Sequence, residues 1–353
     1  MGLESAMNSF EAKVHTFSQP KSKLINRVGF YTMLTSELIY GLGSKIDRTV
    51  PSISSRVDRI VMDSRGSHGD EFVENERMAI VTGANSGIGF ETAKALGRAG
   101  YHTILACRNS EAGQEAVERL QRQTGHEGRY EFVELDLASL QSVHKFVAEF
   151  KARGKALDVL VNNAGVMMCP YSKTKDGVEM QFGTNHVGHF ALTTGLLDEL
   201  KEAPHARVVI VASLGAFMVQ KIDYDAVADE AKYSRTENYA YSKLANVLFT
   251  TALARKAPGI SVNAMHPGWV ATNLSRHVST NSIKNAFENA LLIDPMTGAL
   301  SSIYLALSPD AKDVSGEFYA RALPMASHPI AGDVAEQDKL WEYTENLITK
   351  ASK

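Results

Sequence analysis

A glycine-rich loop lies early in the chain and reads Thr82-Gly83-Ala84-Asn85-Ser86-Gly87-Ile88-Gly89. It follows the apolar run 78–81 and opens into residues 90–96, so we expect it to join a strand to a helix. Glycines there let the backbone approach a pyrophosphate, whose charge the free N–H groups of the helix would meet. Taken alone, the loop also fits an ordinary glycine-rich turn. As a dinucleotide site it would use Gly83, Asn85, Ser86, Gly87, Ile88 and Gly89.

From Met78 the chain alternates between short apolar runs and longer segments of helical spacing. This alternation predicts an α/β fold with a doubly wound, mostly parallel sheet, the Rossmann fold. Ligands of such sheets bind beyond the carboxyl ends of the strands. We expect one catalytic domain over 78–353, with strands at 78–82, 102–107, 130–135, 157–161, 207–212, 260–265 and 317–319.

Composition narrows the function classes. The chain has 353 residues, of which 44% are hydrophobic, and a net charge of −3. The length allows a large buried core, and the charge argues against a nucleic-acid partner. Two cysteines, Cys107 and Cys169, predict neither a disulfide framework nor a zinc site and fit a reducing compartment.

Residues 1–77 form an N-terminal extension of different character. Positions 62–77 are predicted to be a charged linker, whereas 24–43 are rich in apolar residues. Because Arg27 and Glu37 interrupt it, 24–43 is too polar for a transmembrane helix. Two interpretations stay open: an interfacial helix, or a helix packed on the catalytic domain or a second subunit. We expect a cytoplasmic protein or one peripherally attached to a membrane of the endoplasmic reticulum type.

The second predicted strand ends at Cys107-Arg108, about 20 residues after the glycine loop. In NAD-binding folds a carboxylate near this position accepts hydrogen bonds from the adenosine ribose. A carboxylate would repel a 2′-phosphate, whereas Arg108 can pair with it. The sequence therefore favours NADP over NAD, although an arginine at a strand end can also be merely solvated.

Catalytic candidates follow the fifth predicted strand. Tyr239 and Lys243 are four residues apart, which places both on one face of a helix, while Tyr241 points elsewhere. A nearby ammonium, together with an oxidised nicotinamide, can lower the pKa of a phenol and make it an acid–base catalyst. Ser213 directly follows the fifth strand, where its hydroxyl can bond a substrate carbonyl oxygen. His186 and His189 lack a convincing third ligand, so we predict no metal site.

Together these motifs, in this order, make the chain similar to the short-chain dehydrogenase/reductase family. The residues within these motifs most resemble those of the retinol dehydrogenase and WW-domain oxidoreductase branch, but the chain has no WW domain. The resemblance implies that Asn185 supports a proton relay from Lys243, which also grips the nicotinamide ribose. It also implies cofactor contacts by Tyr239, Lys243, Asp136, Leu137, Asn163, Ala164, Gly165, Pro267, Gly268, Val270 and Thr272.

We therefore expect an NADP-dependent oxidoreductase that interconverts a carbonyl and an alcohol. The branch acts largely on retinoids, steroids and polyprenoids, so a lipophilic substrate is implied. One alternative is a catalytically silent nucleotide-binding regulatory or scaffold protein, which the intact Ser, Tyr and Lys disfavour. Another is an epimerase or dehydratase holding NAD, which Arg108 and the G-x-x-x-G-x-G spacing of Gly83, Gly87 and Gly89 disfavour. A homo-oligomer is compatible with the sequence.

After Thr272, apolar residues recur at helical spacing within 282–292. In the resembling family this segment is a mobile lid, and an apolar underside would favour a lipophilic substrate. A helix packed in the core would show the same pattern. With 24–43 as an interfacial anchor, the lid would suit an enzyme that draws its substrate from a bilayer.

Overall fold

The computed structural model describes residues 52–66, 77–270 and 293–351. Its sheet runs in the order β3-β2-β1-β4-β5-β6-β7-β8. All neighbouring strands pair in parallel except β8, which runs antiparallel to β7. This is the predicted doubly wound, mostly parallel sheet. The strands are β1 (Met78–Thr82), β2 (His102–Cys107), β3 (Tyr130–Glu134), β4 (Val159–Asn162), β5 (Arg207–Val211), β6 (Ser261–His266), β7 (Phe318–Ala320) and β8 (Leu323–Met325).

Helices cover both faces of the sheet. A helical turn at Met180–Phe182 and a π-helical segment at Gly183–Val187 lead into the fifth of them. The described helices are α1 (Ile53–Gly66), α2 (Gly87–Arg98), α3 (Ser110–Thr124), α4 (Leu140–Lys151), α5 (Gly188–Gly195), α6 (Leu197–Glu202), α7 (Tyr224–Ala228), α8 (Arg235–Lys256), α9 (Pro295–Leu307) and α10 (Val334–Ala351).

Two hydrophobic clusters result from the alternation of side chains along each strand. In β1, Ile80 belongs to a cluster with residues of α4, α5 and α8, whereas Val81 belongs to one with residues of α2 and α9. All five residues of β1 are buried, as are all five of β5. Burial on both faces explains why these strands read as continuous apolar runs.

The predicted strands agree with the structure to within about two residues at their ends, but β8 was not predicted. It has three residues, includes Pro324 and forms the sheet edge, where proline is tolerated. The turn before it places Arg321 and Ala322 at φ 54° and 63°. This pair lacks the glycine or asparagine that normally marks a tight hairpin turn, so the residue pattern does not predict a hairpin here.

Helix α1 packs on the rest of the described chain. Val57 and Val61 are buried among residues of α2 and α9, and Asp58 accepts a hydrogen bond from Arg98 at 2.8 Å. The segment predicted as a charged linker, 62–77, therefore begins inside a packed helix. The 24–43 segment lies outside the described residues. Among the helices that the structure describes, none is long and apolar enough to cross a membrane.

Candidate active site

The glycine-rich loop forms a cradle at the carboxyl edge of the sheet, where the parallel strands end. Gly83 and Gly87 have φ values of 65° and 59°, which a residue with a side chain adopts only with strain. Gly89 is a close approach: a Cβ there would lie 2.6 Å from Asn163 Nδ2 and 2.6 Å from the Gly83 carbonyl oxygen. The backbone is thus folded tightly enough for a pyrophosphate to lie against it and the N-terminus of α2.

Thr82 ties this loop to the turn after β4. Its Oγ1 accepts hydrogen bonds from the backbone N–H groups of Asn163 and Ala164, both at 2.9 Å. The Asn163 side chain donates back to the Thr82 carbonyl at 2.7 Å. A Cβ on Gly165 would lie 3.0 Å from Asn185 Oδ1, so this turn also borders the predicted catalytic asparagine. Thr82 opens the loop but is not among the site residues predicted from the sequence.

At the end of β2 the structure provides a cation and no carboxylate. Arg108 is exposed, and its side chain makes no hydrogen bond or ion pair with the residues that the structure describes. Cys107 is buried, and burial raises the pKa of its thiol to about 11, so it stays neutral. Arg108 is therefore available to an anionic ligand at this edge.

Asp136 and Leu137 follow β3 at the same edge. Asp136 Oδ2 lies 3.1 Å from Lys175 Nζ, and its Oδ1 accepts a hydrogen bond from the Ala138 N–H at 3.1 Å. Leu137 is buried and belongs to the hydrophobic cluster of α4, α5 and α8. These contacts hold the segment in which the resemblance implies cofactor contacts.

Tyr239 and Lys243 lie on α8, and both are buried. Lys243 Nζ lies 5.9 Å from the centre of the Tyr239 ring and donates a hydrogen bond to the Val211 carbonyl at 2.9 Å. Ser213, just beyond β5, lies close to the Tyr239 ring, since a Cβ on Gly215 would lie 3.1 Å from Tyr239 Cε1 and 3.3 Å from Ser213 Oγ. Tyr241 instead packs into the hydrophobic cluster of α4, α5 and α8. The structure thus brings together the Ser213, Tyr239 and Lys243 predicted from the sequence.

Burial dominates the electrostatics of this group. It raises the pKa of Tyr239 to about 12, with the Ser213 hydrogen bond opposing the shift. Burial also lowers the pKa of Lys243 to about 8. The sequence predicts that an ammonium together with an oxidised nicotinamide lowers the pKa of Tyr239. Among the protein groups alone, burial outweighs the other causes and the pKa is raised. The Lys243 ammonium donates its hydrogen bond to the Val211 carbonyl.

Asn185 lies in the π-helical segment and is completely buried. Its side chain accepts from the Val166 N–H at 2.8 Å and donates to the Val166 carbonyl at 2.9 Å. It also donates to Ser242 Oγ at 2.9 Å, and Ser242 in turn donates to the Tyr239 carbonyl at 2.7 Å. Asn185 is thus locked between the loop after β4 and the helix of Tyr239. Ser242 lies inside the Tyr-x-x-x-Lys motif but was not predicted as a site residue.

Residues after β6 complete this edge in part. Pro267 and Gly268 follow the strand directly, and Gly268 has a φ of 85°. Val270 forms a parallel bridge with Ile293, which brings it next to the start of α9. The predicted contact Thr272 and the predicted lid, 282–292, lie outside the described residues.

His186 and His189, the histidine pair for which the sequence predicts no metal, both have protein partners. His186 Nε2 lies 2.9 Å from Thr344 Oγ1 in α10. His189 Nε2 lies 2.9 Å from Thr82 Oγ1 beneath the glycine loop. Within the described ranges no group of three or more histidine, cysteine or acidic side chains is arranged to hold a metal ion.

Comparison with known proteins agrees with this geometry. Residues 77–282 match the profile of the short chain dehydrogenase family. Human retinol dehydrogenase 14 is 40% identical over 314 residues, covering 84% of this chain and 92% of that protein. A chloroplastic short-chain dehydrogenase, TIC 32 A of Brassica napus, is 38% identical over 282 residues, covering 76% and 88%.

A solved structure of an uncharacterised protein from Mycobacterium paratuberculosis has a TM-score of 0.63 and 34% identity. The match covers 78% of this chain and 94% of that one. Fold, motif order and sequence identity agree over the same region. The chain therefore belongs to the short-chain dehydrogenase family, in its retinol dehydrogenase-like branch, and is an oxidoreductase that acts on alcohol and carbonyl groups.

Proposed function

We propose that this enzyme uses NADP to interconvert a lipophilic carbonyl and its alcohol. The observation that supports it most is the juxtaposition of Ser213, Tyr239 and Lys243 at the carboxyl edge, beside the cradle of Gly83, Gly87 and Gly89. A phenol, a hydroxyl and an ammonium next to a pyrophosphate cradle are suited to proton transfer coupled to hydride transfer.

The glycine cradle, Arg108 and the turn at Asn163 would hold the cofactor, which when bound supplies or accepts the hydride. In the reductive direction Tyr239 donates its proton to the substrate oxygen, and Ser213 donates a hydrogen bond that positions the same atom. A pKa of about 12 keeps the Tyr239 phenol protonated at neutral pH, as this role requires. Lys243 would hold the nicotinamide ribose when the cofactor is bound. Asn185, through Ser242, would keep the helix of Tyr239 and Lys243 in place and support the relay of protons.

Arg108 is the basis for proposing NADP. Its exposed guanidinium follows β2, where a 2′-phosphate would be bound, and the preceding Cys107 is neutral. Charge-assisted pairing with a phosphate favours the phosphorylated dinucleotide, and nothing acidic at this position favours NAD.

Apolar side chains at the carboxyl edge support a lipophilic substrate. Met218, beyond β5, is 47% exposed, and Trp269, beyond β6, is 46% exposed. Large exposed apolar groups at the edge where the substrate is expected favour apolar ligands and contact with a lipid surface. Of the two relatives described above, one is a retinol dehydrogenase, which agrees with a lipophilic substrate, and the name of the other specifies no substrate.

A substrate screen tests the proposal. Oxidation of NADPH and of NADH is followed with retinoid, steroid and polyprenoid carbonyls and with short polar carbonyls. We expect turnover with NADPH and the long apolar substrates. Binding of NADPH without turnover of any carbonyl would instead support the silent nucleotide-binding protein, and turnover confined to small polar carbonyls would overturn the substrate class.

A further inference from the structure

His189 lies between two parts of the proposed active site, the glycine cradle and the segment that carries Asn185. It is 2% exposed, on α5, one turn after Asn185. Its Nδ1 lies 3.0 Å from the Asn185 carbonyl oxygen, and its Nε2 lies 2.9 Å from Thr82 Oγ1. One ring thus contacts the backbone of the proposed catalytic asparagine and the residue that opens the glycine cradle.

The partners define the state of this ring. A carbonyl oxygen only accepts hydrogen bonds, so Nδ1 carries the proton. Burial and the positive charge of Lys243 lower the pKa of His189 to about 4, so the ring is neutral and Nε2 is an acceptor. Thr82 is then the donor to Nε2 at 2.9 Å, in preference to the Val161 carbonyl at 3.4 Å.

When the Thr82 hydroxyl donates its hydrogen bond to His189 Nε2, its oxygen still has two lone pairs that can accept hydrogen bonds. Both are used, because the backbone N–H groups of Asn163 and Ala164 donate to Oγ1 at 2.9 Å each. A doubly protonated His189 would present a third donor to this oxygen. The hydrogen-bond pattern of Thr82 and the tautomer of His189 therefore determine each other.

We propose that His189 is a positioning residue that fixes the cofactor cradle and Asn185 relative to each other. Through Thr82 it orients the turn that borders the cradle, and through Nδ1 it holds the backbone of the π-helical segment from which Asn185 reaches Val166 and Ser242. This inference rests on the proposed function, since it needs Asn185 and the cradle to serve hydride and proton transfer.

The two bonds can be removed separately. In His189→Asn the shorter side chain places an amide near the Nδ1 position, which keeps the donor to Asn185 and loses the Thr82 bond. In His189→Gln the amide reaches the Nε2 position, which keeps a partner for Thr82 and loses the Asn185 bond. His186→Leu is the matched control, because this ring is equally buried, three residues earlier, but is bonded to Thr344.

Each variant is measured for kcat, KM for NADPH, pH profile and melting temperature. We expect His189→Gln to lower kcat by roughly tenfold to a hundredfold with little change in KM for NADPH, and His189→Asn to raise that KM roughly tenfold with a smaller effect on kcat. His186→Leu should lower the melting temperature alone. These readouts separate positioning from a general loss of stability.

Unchanged kinetics in both folded His189 variants would overturn the inference, as would the same change in kcat and KM in both or in His186→Leu. Tyr239→Phe, run alongside, keeps the two proposals distinct. If Tyr239→Phe remains active, the proposed function fails. If it is inactive while the His189 variants behave as wild type, only the positioning role of His189 fails.

Discussion

Lys243 shows how one residue can serve function at a cost in stability. Its ammonium is buried, with the Val211 carbonyl at 2.9 Å, and its pKa falls from 10.5 to about 8. The unfolded chain therefore binds more protons than the folded one between about pH 8 and 10.5, so this residue makes stability rise with pH across that window. Below pH 8 the folded protein retains a buried charge that solvent would otherwise hydrate.

Lys243→Met should therefore stabilise the protein while abolishing turnover. The burial penalty is on the order of 3 kcal/mol at pH 7. Loss of the bond to Val211 costs about 1 kcal/mol, so a net gain of about 2 kcal/mol is expected. Urea denaturation at pH 7 and at pH 10 measures it, and the gain should shrink at the higher pH. A variant that is less stable at pH 7, or a difference independent of pH, would contradict the argument.

Arg108 is the residue on which cofactor choice is predicted to depend. Arg108→Ala should weaken NADPH binding by roughly tenfold to a hundredfold, through loss of about 1.5 to 3 kcal/mol of charge-assisted contact, and leave NADH binding unchanged. Dissociation constants from fluorescence titration provide the test, with the exposed Arg122→Ala as control. Equal loss for both nucleotides would remove Arg108 from the proposed 2′-phosphate site.

At the scale of elements, strand–helix alternation predicted the sheet because its strands are buried on both faces. The loops after β1, β2, β4 and β5 could also be assigned, since each site motif directly follows a strand. The contacts of Thr82, His189 and Ser242 could not be predicted from the sequence. They join residues that are far apart in the chain, and they depend on the direction of each side chain. Strand β8 was missed because its hairpin turn has no glycine or asparagine.

Gly89→Ala tests the cradle as an element. Its Cβ would fall 2.6 Å from both Asn163 Nδ2 and the Gly83 carbonyl, so the loop and the turn after β4 must separate. We expect at least a tenfold loss of NADPH affinity and destabilisation of about 1 to 3 kcal/mol. Gly332→Ala is the control, because a Cβ there meets nothing within 4 Å. Wild-type affinity in Gly89→Ala would show that the loop can relax without harm to the site.

At the scale of the whole molecule, α1 extends the packed unit beyond the predicted start of the catalytic domain. Val57 and Val61 cover α9, whose partner helix α2 follows the glycine loop. A shortened chain used to study residues 1–50 should therefore keep α1. A chain that begins at Glu74 would expose this apolar surface and confuse loss of stability with loss of membrane binding.

Liposome flotation of the full chain and of a chain that begins at Pro51 tests the peripheral membrane attachment expected from the sequence. If 24–43 is an interfacial anchor, the full chain floats and the shortened chain stays with the soluble fraction, while both retain the same melting temperature. Equal flotation would move the attachment to the catalytic domain, where Met218 and Trp269 are exposed. A full chain that never floats would contradict membrane association.

The central claim is that Tyr239 transfers the proton that accompanies hydride transfer. Replacing it with phenylalanine keeps the ring and removes only the hydroxyl, so turnover with NADPH and an active carbonyl should fall at least a thousandfold, about 4 kcal/mol. Affinity for NADPH should be nearly unchanged, and Tyr241→Phe should behave as wild type. An active Tyr239→Phe, or an inactive Tyr241→Phe in its place, would contradict the account.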